Sequence, residues 1–459
     1  MSDLAARSLR SVWHPCTRMK RAQNTPPLAI ARGEGPWLFD TQGRRYFDAI
    51  SSWWVNLFGH ADPTLNAALK DQLDTLPHVM LAGCTQESAV QVAEKLSART
   101  GGVLGHAFYG SDGASAVEIA LKMSFHAWRN QGQSEKREFV CLKNGYHGET
   151  LGALSVTDVA IFRDAYDPLL MRAHTVMSPD LRQAGPDETA EQLTQRALQA
   201  LADLLQARQG QVAALIIEPL IQCAAGMAMH QASYLRGVHG LCQQWGVHLI
   251  ADEIAVGCGR TGTFFAFEQA TLPGQQAVWP DFITLSKGIT GGYLPLSVVL
   301  VRDEIYQAFW FDDAARSFLH SHSYSGNALA CRAAWAVLER FEHDDVLARN
   351  VQLSAPLSQA WHALQGDERL SHVRQQGMVW AFDVKAEIPD FSERFHQAAR
   401  SRELLIRPIG QTVYLMPPYL LKPDDYAWAA EQTLATLQDV LNLETAVDRF
   451  IPRGIPDGC

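Results

Sequence analysis

The stretches VHLIADE at 247–253 and DFITLSKG at 281–288 decide the fold of this chain. Each contains a continuously apolar run of strand length that leads directly to a charged residue, Asp252 in the first and Lys287 in the second. Continuously apolar strands are typical of a parallel sheet that helices cover on both faces. Ligands of such sheets bind beyond the carboxyl ends of the strands, so both charged residues are predicted to face a site.

Similar strands recur on both sides of these two stretches. Strands are predicted at 106–109, 138–142, 212–217 and 298–301. Apolar residues follow a helical period at 87–99, 115–129, 188–208 and 234–245. The alternation predicts an α/β protein with a mostly parallel sheet covered by helices.

The pattern changes after about residue 340. Short strands are predicted at 379–384, 404–406 and 413–416, with helices at 391–402 and 424–440. A single core stops growing near ~250–300 residues, so the chain of 459 residues is expected to form more than one domain. We predict a large domain over 61–340 and a smaller α+β domain over 341–459, with residues 1–60 packing on the smaller one.

The composition of the chain disfavours several classes of protein, among them nucleic-acid-binding, membrane-spanning and zinc-binding proteins. Lys and Arg number 39 against 49 Asp and Glu, which gives a formal net charge of −10 and disfavours a nucleic-acid partner. No apolar run reaches the ~18 residues of a membrane span, and the first residues lack the apolar region of a signal peptide. The eight cysteines form no C-x-x-C pair and no zinc-finger spacing, so we expect a reduced, cytoplasmic protein without a metal site.

Two of the residues that follow strands suggest covalent chemistry with a coenzyme. Lys287 lies before a glycine at a strand end, where an amine with a lowered pKa could form a Schiff base, although Lys287 taken alone favours an ordinary exposed lysine. Asp252 ends a buried strand and needs a partner there. A pyridinium nitrogen would be one such partner, and a helix cap or a salt bridge is the alternative.

Three further features follow strands. The segment GSDGA at 110–114 opens a helix and suits either a phosphate or a plain capped turn, and it lacks the G-x-G-x-x-G of a nicotinamide oxidoreductase. Tyr146, in NGYHG at 144–148, could stack on a flat ring or belong to the core, and so could the Trp53–Trp54 pair. Arg407 could bind a carboxylate through its forked guanidinium or lie on the surface.

A lysine for a Schiff base, an acid for a ring nitrogen, a helix start for a phosphate and an aromatic ring for stacking are together what pyridoxal phosphate requires. The chain resembles the class III aminotransferases of fold type I, which use this coenzyme, from about Trp13 to about Tyr419. The resemblance rests on IADEIA at 250–255, GCGRTG at 257–262, LSKG at 285–288 and TGG at 290–292. An inactive binding protein on the same scaffold is disfavoured, because Lys287 and Asp252 are both present.

The resemblance implies a role for each candidate residue. Lys287 would bind pyridoxal phosphate covalently and move the substrate proton, and Asp252 would pair with the ring nitrogen. Gly113 and Ala114 would bind the phosphate, while Tyr146 and Ile254 would cover the two ring faces. In a homodimer, Ser323, with His322 beside it, would reach the phosphate site of the neighbouring subunit. The residues implied at the substrate site are Cys16, Trp53, Tyr146, Lys287, Ser321, Arg407 and Tyr414, with Arg260 nearby.

Within the family, five motifs resemble the branch that aminates 7-keto-8-aminopelargonate in biotin synthesis. They are WHPCT at 13–17, SSWW at 51–54, NGYHG at 144–148, RP at 407–408 and VYLMPP at 413–418. The implied amino donor is S-adenosylmethionine, with lysine left open, and the alternative is another class III enzyme acting on an ω-amino acid or a diamine. Cys16 stands where some relatives have tyrosine, and Ser321-His322-Ser323 stands where relatives have Gly-Pro-Thr.

Overall fold

The computed structural model describes residues 3–448. Its strands, numbered in chain order, are β1 (Ile30–Glu34), β2 (Trp37–Asp40), β3 (Arg45–Asp48), β4 (His106–Gly110), β5 (Glu138–Leu142), β6 (His174–Val176), β7 (Val212–Ile217), β8 (Ile221–Gln222), β9 (Ala228–Met229), β10 (His248–Asp252), β11 (Phe282–Leu285), β12 (Ser297–Val301), β13 (Leu370–Gln376), β14 (Val379–Val384), β15 (Leu404–Leu405) and β16 (Thr412–Leu415).

The α-helices of the same residues are α1 (Leu4–Ser11), α2 (Met19–Ala22), α3 (Ser51–Trp54), α4 (Pro63–Thr75), α5 (Glu87–Arg99), α6 (Gly113–Asn130), α7 (Leu151–Ser155), α8 (Ala160–Arg163), α9 (Ala190–Ala207), α10 (Ala232–Trp245), α11 (Asp303–Gln307), α12 (Ala328–His343), α13 (Val346–Leu353), α14 (Ala355–His362), α15 (Phe391–Ser401) and α16 (Pro423–Asp448). Short 3₁₀ turns lie at Asp164–Leu169, Leu181–Gln183, Ala266–Ala270, Lys287–Thr290 and Ala314–Arg316. Among residues 3–448, no helix has both the length and the apolar character needed to cross a bilayer.

The central sheet has seven strands in the order β4-β12-β11-β10-β7-β5-β6. All are parallel except β12, which runs antiparallel to both of its neighbours. The prediction of an α/β fold with a mostly parallel sheet is therefore confirmed. Because the parallel strands run in one direction, their carboxyl ends, including those of β7, β10 and β11, meet at one edge of the sheet.

Alternate residues of the central strands enter two different cores. Ile216 packs with α6 on one face, whereas its neighbours Leu215 and Ile217 pack on the opposite face with α9 and α10. All of β7 is buried, as are β10 and β11. Burial on both faces explains why β7 is apolar at every position and why β10 and β11 are mostly apolar, instead of alternating.

Several sequence predictions agree with the structure at the level of single elements. The strands at 138–142 and 212–217 and the helix at 87–99 have the predicted bounds. Most other bounds shift: for example, β10 includes Asp252, which pairs with Thr284 of β11, and α6 begins at Gly113 instead of residue 115. The prediction missed β6 and α4, because three residues are too few to show a period and α4 buries only Leu65 and Ala68.

A second sheet joins distant parts of the chain. The N-terminal strands β1, β2 and β3 form an antiparallel meander, and β15 adds to it in parallel, with Leu405 opposite Asp48. A third sheet contains β13, β14 and β16. The division into domains at residues 60 and 340 stays a prediction, and its outermost parts, residues 1–2 and 449–459, lie outside the described residues.

Candidate active site

A cavity of about 280 Å³ lies at the carboxyl ends of β7, β10 and β11. Six of the predicted site residues line it together: Gly113, Ala114, Tyr146, Asp252, Ile254 and Lys287. The other lining residues are Trp54, His147, Gly148, Glu149, Glu218 and Ala255. These candidates are up to 174 positions apart in the chain, yet they lie together, as expected for a site at the carboxyl ends of parallel strands.

Lys287 enters the cavity from the turn after β11. Its backbone has a positive φ of 44°, and its Nζ lies 4.7 Å from the centre of the Trp54 ring. Burial lowers the pKa of the Lys287 amine, against the opposing effect of Cys223, Asp252 and Glu218. A lysine whose pKa is lowered in this way is a better nucleophile and a better base at neutral pH.

Asp252 is buried at the end of β10 and is held by three donors. His147 Nδ1 donates to its Oδ2 at 2.7 Å, and the backbone N–H of Ile254 and the hydroxyl of Thr284 donate to its Oδ1 at 3.1 and 3.3 Å. The opposite ring nitrogen of His147, Nε2, is buried without a hydrogen-bond partner among the described residues. These contacts fix the carboxylate in one orientation at the cavity wall.

The start of α6 is suited to an anion. Asp112 caps the helix, since its side chain accepts from the N–H of Ser115 at 2.9 Å and its carbonyl from that of Ala116 at 3.0 Å. The remaining N–H groups of the first turn belong to Gly113 and Ala114, which both line the cavity. A Cβ at position 113 would lie 3.0 Å from Ile254, so glycine lets the helix approach β10 closely.

The loop after β5 forms another wall of the cavity. The Tyr146 hydroxyl donates to Glu149 Oε1 at 2.9 Å, and the Tyr146 backbone N–H donates to Glu218 Oε2 at 3.0 Å. Gly148 has φ 125°, and a Cβ there would lie 2.6 Å from that of Ala114. Glycine is therefore required where the loop passes the start of α6.

Glu218 follows β7 and is buried beneath this loop. Burial raises its pKa to about 7, while His147 and the N–H groups of Tyr146 and Cys223 oppose the shift. Two carboxyl groups, an imidazole and an amine thus share one small region: Glu218, Asp252, His147 and Lys287. Such a group of titratable side chains in a cavity is characteristic of catalytic sites.

The wall opposite the sheet is formed by a strained turn. Four consecutive residues that are not glycine, Ser51, Ser52, Trp53 and Trp54, have positive φ angles of 51°, 48°, 73° and 73°. Left-handed backbone costs an L-residue about 1–2 kcal/mol. The turn places Trp54 in the cavity, whereas Trp53 is 46% exposed and its ring centre lies 5.9 Å from the Arg407 guanidinium.

The remaining predicted substrate residues lie around this turn. Tyr414 is buried, and its hydroxyl accepts from the Trp54 indole N–H at 3.0 Å. Cys16 is exposed; partial burial and the Glu149 carboxylate raise its thiol pKa, whereas Arg407 lowers it. Arg407 itself is exposed beyond β15. Trp53, Cys16, Arg407 and Tyr414 are thus near the cavity but outside its lining.

Residues 321–323 do not line this cavity either. His322 Nδ1 lies 2.9 Å from the hydroxyl of Ser111, just before α6, and the Ser323 carbonyl accepts from His78 Nε2 at 3.0 Å. Ser321 is exposed. Arg260 is buried elsewhere, where it donates to the carbonyls of Asn56 and Pro417 at 2.9 and 2.7 Å.

Six lining residues were not predicted from the sequence, and three of them are titratable: His147, Glu149 and Glu218. Glu218 was within reach of the rule that identified Asp252, because it directly follows the apolar strand β7. His147 lies within NGYHG and Glu149 directly follows it; both carry a weaker signal, since a histidine and an acid in a loop are common on any surface. Trp54 was recognised only as one member of a pair, and its neighbour Trp53 was chosen for the site.

Comparison with known proteins identifies the class. The family model described as Aminotransferase class-III matches residues 18–437, and the chain belongs to this family. The chain is 41% identical to the adenosylmethionine-8-amino-7-oxononanoate aminotransferase of Helicobacter pylori (strain ATCC 700392 / 26695), over 96% of this chain and 98% of that protein.

Two solved structures extend the comparison. The crystal structure of the adenosylmethionine-8-amino-7-oxononanoate aminotransferase from Methanocaldococcus jannaschii superimposes with a TM-score of 0.86 and 31% identity, covering 95% of this chain and 98% of that one. An amine transaminase from an uncultivated Pseudomonas species, solved with pyridoxal phosphate bound, gives a TM-score of 0.87 and 29% identity over 94% and 99% of the two chains. The chain is therefore a fold type I aminotransferase that uses pyridoxal phosphate.

The residues present fit this coenzyme. Gly113 lacks the side chain that would fill the space between α6 and Ile254, which leaves room beside the open N–H groups for a phosphate. Asp252 presents a buried carboxylate for a protonated ring nitrogen, and Lys287 presents a buried amine for a covalent link. A group of three or more possible metal ligands is absent from residues 3–448, while the coenzyme site needs none.

Proposed function

We propose that this enzyme transfers an amino group from S-adenosylmethionine to 7-keto-8-aminopelargonate and so forms 7,8-diaminopelargonate for biotin synthesis. The observation that carries the proposal is the cavity in which Lys287, Asp252 and the start of α6 meet. The Helicobacter pylori relative, 41% identical over nearly its whole length, supports this choice among aminotransferase reactions.

The proposed chemistry assigns one task to each side chain. Bound pyridoxal phosphate supplies a carbonyl that takes up an amino group and a ring that accepts electrons when a proton leaves the substrate. Lys287 holds the coenzyme before the reaction and then removes and returns that proton, for which burial has lowered its pKa. Asp252, oriented by His147, keeps the ring nitrogen protonated. Gly113 and Ala114 bind the phosphate through backbone N–H groups.

The substrate side offers two kinds of contact. We propose that Arg407 binds the carboxylate of the amino donor, because a guanidinium matches a carboxylate with two parallel hydrogen bonds. Trp53, Trp54 and Tyr414 would pack on the aliphatic chain of the acceptor, while Tyr146 covers one face of the coenzyme ring and Ile254 the other. We also propose that Cys16, whose thiol pKa responds to Glu149 and Arg407, contacts the substrate.

We also propose that the active unit is a homodimer in the cytoplasm. Exposed apolar side chains lie within four positions of Ser323 or of its partner His78 in the sequence: Met80 at 60%, Leu319 at 79% and Tyr324 at 65% exposure. Exposed apolar patches mark contact surfaces. Ser323, flanked by Ser321 and His322, would then reach the phosphate site of the neighbouring subunit. The seven described cysteines are all free, which supports a reducing compartment.

Sedimentation tests the dimer. We expect the active enzyme to sediment as two chains and Ser323→Ala to weaken retention of pyridoxal phosphate. A fully active single chain would contradict the proposal, and so would a Ser323→Ala variant that retains the coenzyme as the original enzyme does.

A panel of donors and acceptors tests the reaction. The purified enzyme is incubated with S-adenosylmethionine or lysine as donor and with 7-keto-8-aminopelargonate or pyruvate as acceptor, and diaminopelargonate is measured. We expect product with the first donor and the first acceptor. Transfer to pyruvate from an ω-amino acid or a diamine, without diaminopelargonate, would favour the second candidate, an amine transaminase like the Pseudomonas protein of 29% identity.

A further inference from the structure

Hydrogen bonds to Asp48, Tyr414 and Met416 hold the strained turn α3 from outside. Its own backbone closes with three hydrogen bonds, from Trp54 N to Ile50 O at 2.8 Å and from Val55 N and Asn56 N to Ser51 O at 3.0 Å. Local bonds of this kind form equally well in a right-handed turn, so they do not explain why four L-residues take the left-handed form.

Asp48, the last residue of β3, supplies the first external contact. Its carboxylate is fully buried, and Oδ1 accepts from the Ser52 N–H at 2.8 Å. Oδ2 accepts from the Ser52 hydroxyl at 2.7 Å and lies 2.9 Å from His60 Nε2. Two of the three donors thus belong to Ser52, whose φ and ψ of 48° and 50° are at the centre of the left-handed region.

The C-terminal part of the chain supplies the second set of contacts. The Ser51 hydroxyl donates to the carbonyl of Met416 at 2.7 Å, and the Trp54 indole N–H donates to the Tyr414 hydroxyl at 3.0 Å. Ser51 and Tyr414 are buried, so neither contact can be replaced by water. The turn is therefore bonded to β3 on one side and to the end of β16 on the other.

We propose that Asp48 is a positioning residue for the substrate-binding wall: through Ser52 it holds the left-handed turn that sets the two tryptophans. Trp54 is directed to Lys287, and Trp53 to Arg407. Arg407 follows Leu405, which pairs with Asp48 across β3 and β15, so one strand pair locates both the aromatic wall and the cation. This inference rests on the proposed aminotransferase function, because its effect is read in substrate affinity.

Two substitutions of Ser52 separate the hydroxyl bond from the backbone strain. Alanine and glycine both remove the hydroxyl, but alanine keeps a Cβ at φ 48°, whereas glycine adopts this backbone freely. We expect Ser52→Ala to raise KM about tenfold, as for loss of one hydrogen bond to a carboxylate, with kcat changed less than about threefold. Ser52→Gly should bring KM back to within about threefold of the original enzyme.

Ser52→Gly should also lower the KM of a variant in which Asp48 itself is changed. Asp48→Asn keeps one acceptor oxygen and replaces the other by an NH₂ group, which opposes the His60 ring nitrogen. We expect a rise in KM like that of Ser52→Ala, and a lower KM when Ser52→Gly is added to Asp48→Asn. If the added glycine leaves KM unchanged or raises it, Asp48 does not act by holding the turn.

Ser88→Ala is the matched control. Ser88 is more deeply buried than the exposed Ser52, and its hydroxyl donates to the carbonyl of Ala328 at 2.9 Å, away from the cavity lining. This variant should lower the unfolding temperature at least as much as Ser52→Ala does and leave KM unchanged. An unchanged KM in Ser52→Ala, or equal impairment in Ser52→Ala and Ser52→Gly, would overturn the inference.

Thermal unfolding of the coenzyme-free protein separates this inference from the proposed function. The turn predicts that Ser52→Ala unfolds at a lower temperature than Ser52→Gly, whatever reaction the enzyme performs. If the original enzyme transfers no amino group, the proposed function fails, and the order of the two unfolding temperatures still decides whether the turn is held as inferred.

Discussion

The cavity has two sides that the chain builds in different ways. The coenzyme side, defined by Gly113, Ala114, Asp252, Ile254 and Lys287, is carried by strand ends and one helix start of the central sheet. The substrate side, defined by Cys16, Trp53, Trp54, Arg407 and Tyr414, comes from segments near both ends of the described chain. One hydrogen bond between these segments, from Ser51 to Met416, spans 365 positions.

We infer from this difference that the coenzyme side carries out the reaction and that the substrate side determines which substrates bind. Residues on the coenzyme side sit at the ends of buried strands and at one helix start, so the central sheet sets their positions, although Lys287 itself has a positive φ. On the substrate side a left-handed turn and exposed side chains are held by contacts between distant segments. Substitutions on the first side should therefore change kcat, and those on the second side should mainly change KM.

Lys287→Ala should have the largest effect. It removes both the covalent attachment and the proton transfer, so we expect kcat to fall by about 10⁴-fold or more. Absorbance from the attached coenzyme should disappear, and borohydride treatment should leave none bound at position 287. Lys143→Ala, which changes an exposed lysine after β5, serves as control and should keep full activity. Turnover by Lys287→Ala at the original rate would break the assignment of the coenzyme side.

Asp252→Asn should have the next largest effect. An amide cannot keep a ring nitrogen protonated, and we expect kcat to fall about 10²–10³-fold, the range for loss of one preorganised electrostatic contact. Asp281→Asn sharpens the comparison, because Asp281 is a half-buried acid at the opposite end of the same strands, where it accepts from Leu249 N at 2.8 Å. That variant should lose stability and keep kcat. Equal losses of kcat in Asp252→Asn and Asp281→Asn would show that the effect does not depend on a position at the carboxyl end of the strand.

The sequence predicted the coenzyme side because its signals are local. Asp252 and Lys287 each complete an apolar strand, and parallel strands bring such residues together without further information. Glu218 directly follows the apolar strand β7, so the same rule predicts it as a site residue. It was missed because only the residues after the other strands were considered. The left-handed turn has no such signal: Ser-Ser-Trp-Trp contains neither glycine nor asparagine, and its backbone depends on Asp48 and Met416. The strand β6 was too short to give a period.

Glu218 gives a prediction for stability. Burial raises its pKa from 4.5 to about 7, so its contribution to folding is complete below pH 4.5 and is lost as pH rises through about 7. We expect this ionisation to cost the coenzyme-free protein about 3 kcal/mol between these pH values. Glu218→Gln cannot ionise, so urea unfolding at pH 5 and pH 8 should show a smaller decline for the variant.

Glu253 is the internal control for this measurement. It is also buried, with its pKa raised to about 8 by burial, and its carboxylate accepts from Ala266 N and Phe267 N at 2.7 and 2.8 Å. Because it is present in both proteins, its contribution cancels in their difference. Identical pH dependence in the original protein and in Glu218→Gln would mean that Glu218 is already ionised at pH 5.

Arg407→Ala should have the smallest effect of the four and should change a different quantity. Loss of a charged hydrogen-bonding group predicts a rise in the KM of the amino donor of about 30-fold, or about 2 kcal/mol, with kcat nearly unchanged. Arg407→Lys keeps the positive charge but loses the forked guanidinium, so its KM for the amino donor should lie between those of the original enzyme and Arg407→Ala. Arg402→Ala, which breaks a surface ion pair of 2.8 Å with Asp439, should leave KM unaltered. If Arg407→Ala lowers kcat as Asp252→Asn does, the two sides are not separate, because a residue of the substrate side would then control the chemical step.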